Sequence, residues 1–394
     1  MHPPGAETIV VRHGELGIKS DQVRIKMERQ LQGHIECLLE DREIPGRVRT
    51  ERNRLYVETD PEHIEAATDA ATDAFGVVSA SPAIRVDPEL DTILDAMERT
   101  TDACFESGTF AVDARRAGAS EVHDFDSRDL EQDGGARVGE TIASLGHDPD
   151  VDLDDPDFTV FVEARPEKAF IFVEKRAGPG GLPLGSQQPL VALLSGGHDS
   201  PVAAWEMLRR GSPVIPVYID LGKYGGVDHR ARADAAADRL ARLAPQYDMS
   251  LRILDFGALV DKLMAETQAT RMLSLRRAML AAAETVAREH DAVGLVTGEA
   301  IGQKSSQTSA NISVTDAAAD IPVHRPLLTT DKTDIMEQGR ELGTYEDSSI
   351  PTGCNQVAPS YPETNATLEQ VENAEPGGLL DRAREVTREQ LADR

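Results

Sequence analysis

Residues 193–201 read Leu-Leu-Ser-Gly-Gly-His-Asp-Ser-Pro, a glycine pair, two serines and a carboxylate set between an apolar run and a helical pattern. Glycines at such a turn let the backbone approach a ligand closely and take dihedrals closed to other residues. Pro201 suits the first turn of a helix, where an amide would lack a partner anyway. The first amides and the positive dipole end of that helix would face the ligand, so Ser195, Gly196, Gly197, Asp199 and Ser200 read as an anion cradle. The Walker phosphate loop differs, with wider glycine spacing and a terminal Gly-Lys-Ser/Thr. A compact cradle suits pyrophosphate held while the α-phosphate of a nucleotide is attacked, which is adenylation rather than γ-phosphoryl transfer. Asp199 makes sense in such a site when Mg²⁺ bridges it to phosphate. The plain alternative is a Gly-rich turn in which Asp199 or Ser200 caps a helix. His198 receives no catalytic role.

A second polar stretch, Gly-Glu-Ala-Ile-Gly-Gln-Lys-Ser-Ser-Gln-Thr (298–308), follows the apolar run 292–297. Gly298 permits close backbone approach, and Gln303, Ser306, Gln307 and Thr308 offer uncharged hydrogen-bonding groups suited to an adenine or a ribose. Singly, each also fits an ordinary polar loop with a helix cap. Arg276 and Arg277 sit on the helix that feeds this run. Lys332 follows Asp331 at the start of another helical pattern. Cys354 lies in a Pro/Gly/Ser-rich loop, whereas Cys37 lies on the apolar face of a helix and Cys104 leans to a core position.

The elements that must hold these residues follow from periodicity. A strand over 7–13, a helix over 21–43 and a hairpin over 46–59 turning near Arg52-Asn53 make a small first unit, 1–60. A second unit, 61–176, shows helices ending near Phe75 and Ser107, strands at 76–86 and 109–116, a further helical stretch from Phe125, and a hairpin over 158–176. The Gly/Pro-rich, nearly uncharged stretch 177–189 is the expected linker. From Leu190 to the end, apolar strands alternate with helices, the signature of a doubly wound parallel sheet. The fold class is therefore α/β and α+β in several domains. No apolar run is long enough to span a bilayer, and no signal peptide opens the chain. The scattered cysteines fit a reducing, cytoplasmic location.

The net charge of −28 over 394 residues, with 4% aromatics, suits a protein working in concentrated salt. At about 1 M salt the Debye length is only about 3 Å, so self-repulsion is small and local contacts decide binding. Residues 1–60 carry 10 Lys/Arg against 11 Asp/Glu, while 61–180 carry 10 against 28. The nearly balanced first segment leaves room for a basic face.

Ser-Gly-Gly-His-Asp-Ser-Pro resembles the PP-loop of the ATP-pyrophosphatase superfamily. Together with 298–308, the stretch 324–346 and Cys354, it resembles the tRNA 4-thiouridine synthase (ThiI) family. The opening Arg-His-Gly-Glu-Leu-Gly-Ile-Lys-Ser is similar to that family's N-terminal ferredoxin-like domain. Residues 109–140 are similar to its RNA-binding THUMP domain, which leaves 190–394 as the PP-loop catalytic domain. The resemblance implies that ATP adenylates O4 of a tRNA uridine (position 8), and that sulfur then displaces AMP. It implies that Leu193, Leu194, Tyr218, Ile219, Arg276, Gly298 and Gln307 line the nucleotide site. Residues 195–200 would hold pyrophosphate, Asp199 would place Mg²⁺, and Lys332 would offset charge at the phosphates. Cys354 is expected to handle sulfur, either carrying a persulfide or resolving one.

Some family members carry a rhodanese domain or a CxxC-linked cluster. No rhodanese domain is expected after residue 394, and the three cysteines form no CxxC, so no iron–sulfur cluster is expected, and sulfur would come from a separate donor protein or free sulfide. Arg12, Lys19, Arg24, Lys26, Arg115 and Arg116 are candidate tRNA contacts. A homodimer and a contribution to thiamine thiazole synthesis are both left open. The competing readings are a non-catalytic tRNA-binding protein on a PP-loop scaffold, and another PP-loop adenylating enzyme such as an amidotransferase.

Overall fold

Alternating burial builds the first half of the chain. Ile9 and Val11 of β1 (Thr8–His13), Val48 of β2 (Arg47–Glu51) and Leu55 and Val57 of β3 (Arg54–Glu58) share one core with Leu31, Ile35 and Leu38 of α1 (Asp21–Asp41). Ala67, Ala70 and Ala71 of α2 (Ile64–Thr72) and Ala80 of β4 (Val77–Val86) complete it. β1 pairs antiparallel with β3 on one side and β4 on the other. The β-α-β-β-α-β run thus extends past residue 60, because β1 needs a partner on each side.

Next come α3 (Leu90–Cys104), β5 (Phe110–Arg116), α4 (Ser127–Ser144), β6 (Phe158–Arg165) and β7 (Lys168–Phe172). Asp126 starts α4 with a capping box, its carboxylate accepting from the Arg128 and Asp129 amides. β4 continues beyond β1 and pairs with β7 through Ile84–Val86, so one sheet runs β2-β3-β1-β4-β7-β6-β5. A two-residue strand, β8 (Arg176–Ala177), adds to β4.

This computed structural model describes residues 1–14, 16, 19–51, 54–118, 122–225, 227–345 and 354–392, with all their side chains except those of 227, 354 and 355. The expected turn at Arg52-Asn53 lies outside the described residues. The chain divides into two units, Met1–Pro183 and Leu184–Arg394, parting inside the stretch expected as a linker.

The second unit is built on β9 (Leu190–Leu194), α5 (Asp199–Arg209), β10 (Val214–Asp220), α6 (Val227–Arg242), β11 (Arg252–Asp255), α7 (Gly257–Glu266) and α8 (Arg271–Glu289). It continues through β12 (Leu295–Val296), α9 (Ser309–Asp316), β13 (Val323–His324), α10 (Lys332–Glu341), α11 (Cys354–Val357), α12 (Leu368–Ala374) and α13 (Leu379–Ala392). All pairings are parallel and the order is β11-β10-β9-β12-β13. The order reverses between β9 and β12, and open α/β sheets bind ligands at the carboxyl edge of such a switch point.

Val191, Val217 and Leu295 pack under Leu275, Ala282 and Val286 of α8, and Leu379 and Ala383 of α13 join them. Arg277, almost fully buried on α8, donates to Glu375 at 3.1 Å, Glu372 at 3.2 Å and the Val314 carbonyl at 3.1 Å, tying the carboxyl-terminal segment down. Among the described residues, no helix is long and apolar enough to cross a membrane.

Candidate active site

The loop after β9 is shaped by its own two serines. The Ser195 amide donates to Ser200 Oγ at 2.8 Å, the two hydroxyls lie 3.0 Å apart, and the Gly197 amide donates to Ser195 Oγ at 3.3 Å. Arg232 on α6 donates to the Gly196 carbonyl at 3.5 Å, tying the loop to that helix. The chain then enters α5 at Asp199, with Pro201 in its first turn.

Neither Gly196 nor Gly197 has a positive φ, so the expected role of special dihedrals is corrected. Gly196 is required by crowding: a Cβ there would lie 2.8 Å from the His229 carbonyl oxygen. A Cβ on Gly197 would meet nothing nearer than Ser195 Oγ at 3.5 Å, which leaves its outer side open to a ligand.

Gly298 has a packing role that spacing alone does not reveal. A Cβ there would lie 2.7 Å from both the Asp199 carbonyl carbon and the Ser200 nitrogen. The loop after β12 therefore abuts the cradle backbone directly, bringing Gly298 against Asp199, 99 positions earlier in the sequence.

Lys332, the first residue of α10, donates to Asp199 Oδ1 at 2.6 Å. Both side chains are partly exposed, so the pair adds little stability. Its effect is to aim a cation and a carboxylate at one crevice. His198 Nε2 lies 3.3 Å from the same Oδ1. Burial lowers the His198 pKa, with Asp199 opposing and Lys332 reinforcing the shift, which favours a neutral ring at neutral pH. Its ring centroid is 5.5 Å from that of Tyr345.

Behind this edge Arg276 pairs with Glu299, which also accepts from Arg325 Nε at 2.7 Å and Thr297 Oγ1 at 3.0 Å. Burial alone would raise the Glu299 pKa, yet Arg276 and Arg325 hold it below the usual carboxylate value. With its amide oriented to satisfy its neighbours, Gln307 accepts from Arg276 Nη2 at 3.2 Å and donates to the Ala300 carbonyl at 3.0 Å. Glu299, Arg325, Thr297 and Arg232 are the residues that reading the sequence missed. The one local signal was a carboxylate directly after Gly298.

Leu194 and Tyr218 are register partners, both buried. Leu193 and Ile219 instead pack with the α8-side core. The four expected lining residues thus alternate between the two faces at the edge of the sheet. Thr308 caps α9, accepting from the Asn311 amide at 3.2 Å and donating to the Thr364 carbonyl at 2.7 Å, so its hydroxyl is engaged in structure.

The backbone of Cys354 opens α11, a short helix lying against the turn Gly222–Tyr224 that follows β10. Its side chain lies outside the described residues. Burial raises the thiol pKa of Cys37, with Glu40 and Glu36 adding to it, and burial likewise raises that of Cys104. Neither has the thiolate character that sulfur chemistry needs.

For a metal, the described residues include no cluster of three or more His, Cys, Asp or Glu. Asp199 alone at the cradle fits the Mg²⁺ pattern in which one carboxylate and the ligand's phosphates share the ion.

In the first unit, Arg12 is mostly buried and donates to Ser81 at 2.9 Å and Glu163 at 3.4 Å, which makes it a poor candidate for the RNA contact expected of it. Arg24 pairs with Asp21 at 2.9 Å and Glu28 at 3.4 Å. Arg115 remains 75% exposed.

Comparison with known proteins fits this arrangement. The family model described as thiamine biosynthesis protein (ThiI) matches residues 185–377, that of the ThiI ferredoxin-like domain 8–81, and that of the THUMP domain 88–174. A probable tRNA sulfurtransferase of Halobacterium salinarum (strain ATCC 29341 / DSM 671 / R1) is 54% identical over 98% of this chain and 97% of its own length. One from Methanosarcina acetivorans is 35% identical over 92% of this chain and 87% of its own. A 4-thiouridine synthetase solved as an RNA complex with bound ATP is similar at a TM-score of 0.84 and 27% identity, covering 98% of both chains.

Proposed function

This chain belongs to the ThiI family of tRNA sulfurtransferases, and from that premise we infer that it is an ATP-dependent enzyme converting a tRNA uridine to 4-thiouridine. The observation that carries the reading is the junction of the two sheet-edge loops at the switch point, with Gly298 seated on Asp199 and Ser200. One loop offers an anion cradle, and the other carries Glu299, the buried carboxylate that pairs with Arg276 of α8.

A uracil carbonyl oxygen leaves poorly until it is esterified to phosphate. Uridine O4 therefore attacks the α-phosphorus of ATP, and pyrophosphate departs. Residues 195–200 hold the departing diphosphate at the start of α5. Lys332 offsets the charge that builds on the phosphates, and Arg276, oriented by Glu299 and Gln307, lines the nucleotide site. Leu194, Tyr218 and Gln307 bound the nucleotide. Asp199 would hold Mg²⁺ jointly with phosphate oxygens, the ion supplying charge neutralisation during the transfer. A sulfur nucleophile then attacks C4 and expels AMP.

Cys354, whose backbone lies at the same sheet edge, is our candidate for handling sulfur from a separate persulfide donor, by taking it onto its thiol with release of the donor's thiol or by resolving the persulfide, whereas free sulfide, already reduced, would attack C4 directly. The raised thiol pKa values of Cys37 and Cys104 support this choice. We read residues 8–81 and 88–174 as the RNA-binding part, and a cytoplasmic location accords with a tRNA substrate.

The test is mass spectrometry of tRNA nucleosides from cells with and without the protein. Loss of 4-thiouridine on deletion, restored by the wild-type chain and not by Asp199→Ala, is the expected result. An unchanged 4-thiouridine level after deletion overturns the reading.

A further inference from the structure

Among the described residues, α1 and α2 pack on one face of the eight-stranded sheet of the first unit, and α3 and α4 pack on the strand residues of that same face. Residues such as Ile9, Val11, Leu55 and Val57 point into the core with α1 and α2. By strict alternation, the opposite face receives Val10, Tyr56, Ala83, Phe170 and Phe172, which form a separate apolar cluster. This layer is roofed by cations. Arg12 lies 4.8 Å over Phe172, Lys168 lies 4.5 Å over Tyr56, and Lys175 lies 3.7 Å over Phe161. Glu163, buried among them, accepts from Arg12, Arg54 and Arg165 and holds the array together. The strands of the same face add Arg47, Arg49, Arg85 and Arg115, all exposed. Against these cations the described strand positions of this face set only Glu51, Glu58, Asp113 and Glu163. A cation-rich sheet face stands out on a chain whose net charge is −28.

We propose that this helix-free face is the surface on which the phosphate backbone of the substrate RNA lies. The inference rests on the tRNA reading above and adds to it the surface and the mode of contact. Seven strands at about 4.8 Å spacing make a platform roughly 29 Å wide, enough to meet several phosphates of a duplex stem. The aromatic rings do not stack on bases, because their faces are already occupied by Arg12, Lys168 and Lys175. Recognition on this face is therefore through phosphates and shape, without base readout. The buried Glu163 fixes the inner cations; of the outer arginines, Arg49 and Arg85 share Glu58 at 3.0 and 3.3 Å and Arg115 lies 3.8 Å from Asp113, exposed pairs weak enough for a phosphate to displace.

The test replaces Arg47, Arg49, Arg85 and Arg115 together by glutamine in the full chain. A control chain carries Arg99→Gln and Arg128→Gln, exposed residues of α3 and α4. Binding of unmodified tRNA is measured by fluorescence anisotropy across a salt series, with circular dichroism confirming that each variant is folded. The fourfold variant is expected to bind at least tenfold more weakly. Its slope of log K against log salt should fall by roughly 0.7–0.9 for each phosphate that is no longer neutralised, and the control should match wild type. Equal affinity of the fourfold variant and wild type overturns the proposal, as does a larger loss in the control. In either case wild-type formation of 4-thiouridine shows that the enzymatic reading still stands. Should wild type bind tRNA but form no 4-thiouridine, the enzymatic reading fails and the surface is judged on the binding data alone.

Discussion

Glu299 sits between Arg276 and Arg325, with 5% of its surface exposed. Removing one partner from a buried ionic cluster leaves charge without compensation, at a cost of about 3–5 kcal/mol. Glu299→Gln is expected to lose stability on that scale, measured by urea unfolding at fixed salt. The pH dependence has a definite sign. The folded carboxyl titrates below its unfolded value of about 4.3, so its contribution is full above that value and fades as pH falls through the lower folded one. Wild type should therefore approach the variant's stability as pH drops below about 4, and a gap that stays constant with pH would refute this account. Lys332 and Asp199 were legible in the sequence because each sits at a helix start next to a recognisable motif. The role of Glu299 was not, since Arg325 lies 26 positions away and no periodicity brings the two together.

At the scale of elements, two glycines with the same apparent purpose turn out to differ. Gly298→Ala pushes a methyl group into the backbone of Asp199 and Ser200, where it meets atoms at 2.7 Å that cannot yield without moving a helix start. It should lower both the melting temperature and the rate of tRNA-dependent pyrophosphate release. Gly197→Ala meets only Ser195 Oγ at 3.5 Å and needs no unusual φ. It should melt within a degree or two of wild type yet release pyrophosphate at least tenfold more slowly, because the new methyl occupies space meant for phosphate. If Gly197→Ala is fully active, the cradle does not hold the leaving group. The strand–loop–helix framework of this site was readable because long apolar runs and Gly/Pro punctuation declare themselves locally. β13 was not, since Val323 and His324 are only two residues and join the sheet through β12. The place of α13 was equally hidden: its ordinary amphipathic pattern shows that one face is covered but not that α8 covers it.

For the whole molecule, two electrostatic demands oppose each other. A chain of net charge −28 repels itself when compact. Screening shortens the reach of that repulsion from about 10 Å at 0.1 M salt to about 3 Å at 1 M, so the fold gains from salt. RNA held through phosphates loses from it, because the free energy of counterion release shrinks as bulk salt rises. The thiolation rate should therefore pass through a maximum as salt is varied. On the low-salt side it should follow the folded fraction, tracked by circular dichroism and restored equally by NaCl and KCl at the same ionic strength. On the high-salt side the protein stays folded, so the loss should appear as a rising KM for tRNA with kcat little changed. A rate that falls steadily from the lowest salt upward, with the melting temperature flat throughout, would mean that self-repulsion has no hold on this fold. Replacing the four outer arginines of the sheet face by glutamine should flatten the high-salt arm, since phosphate binding shapes it, and should move the low-salt arm to higher salt, since four lost cations add to the net charge of −28.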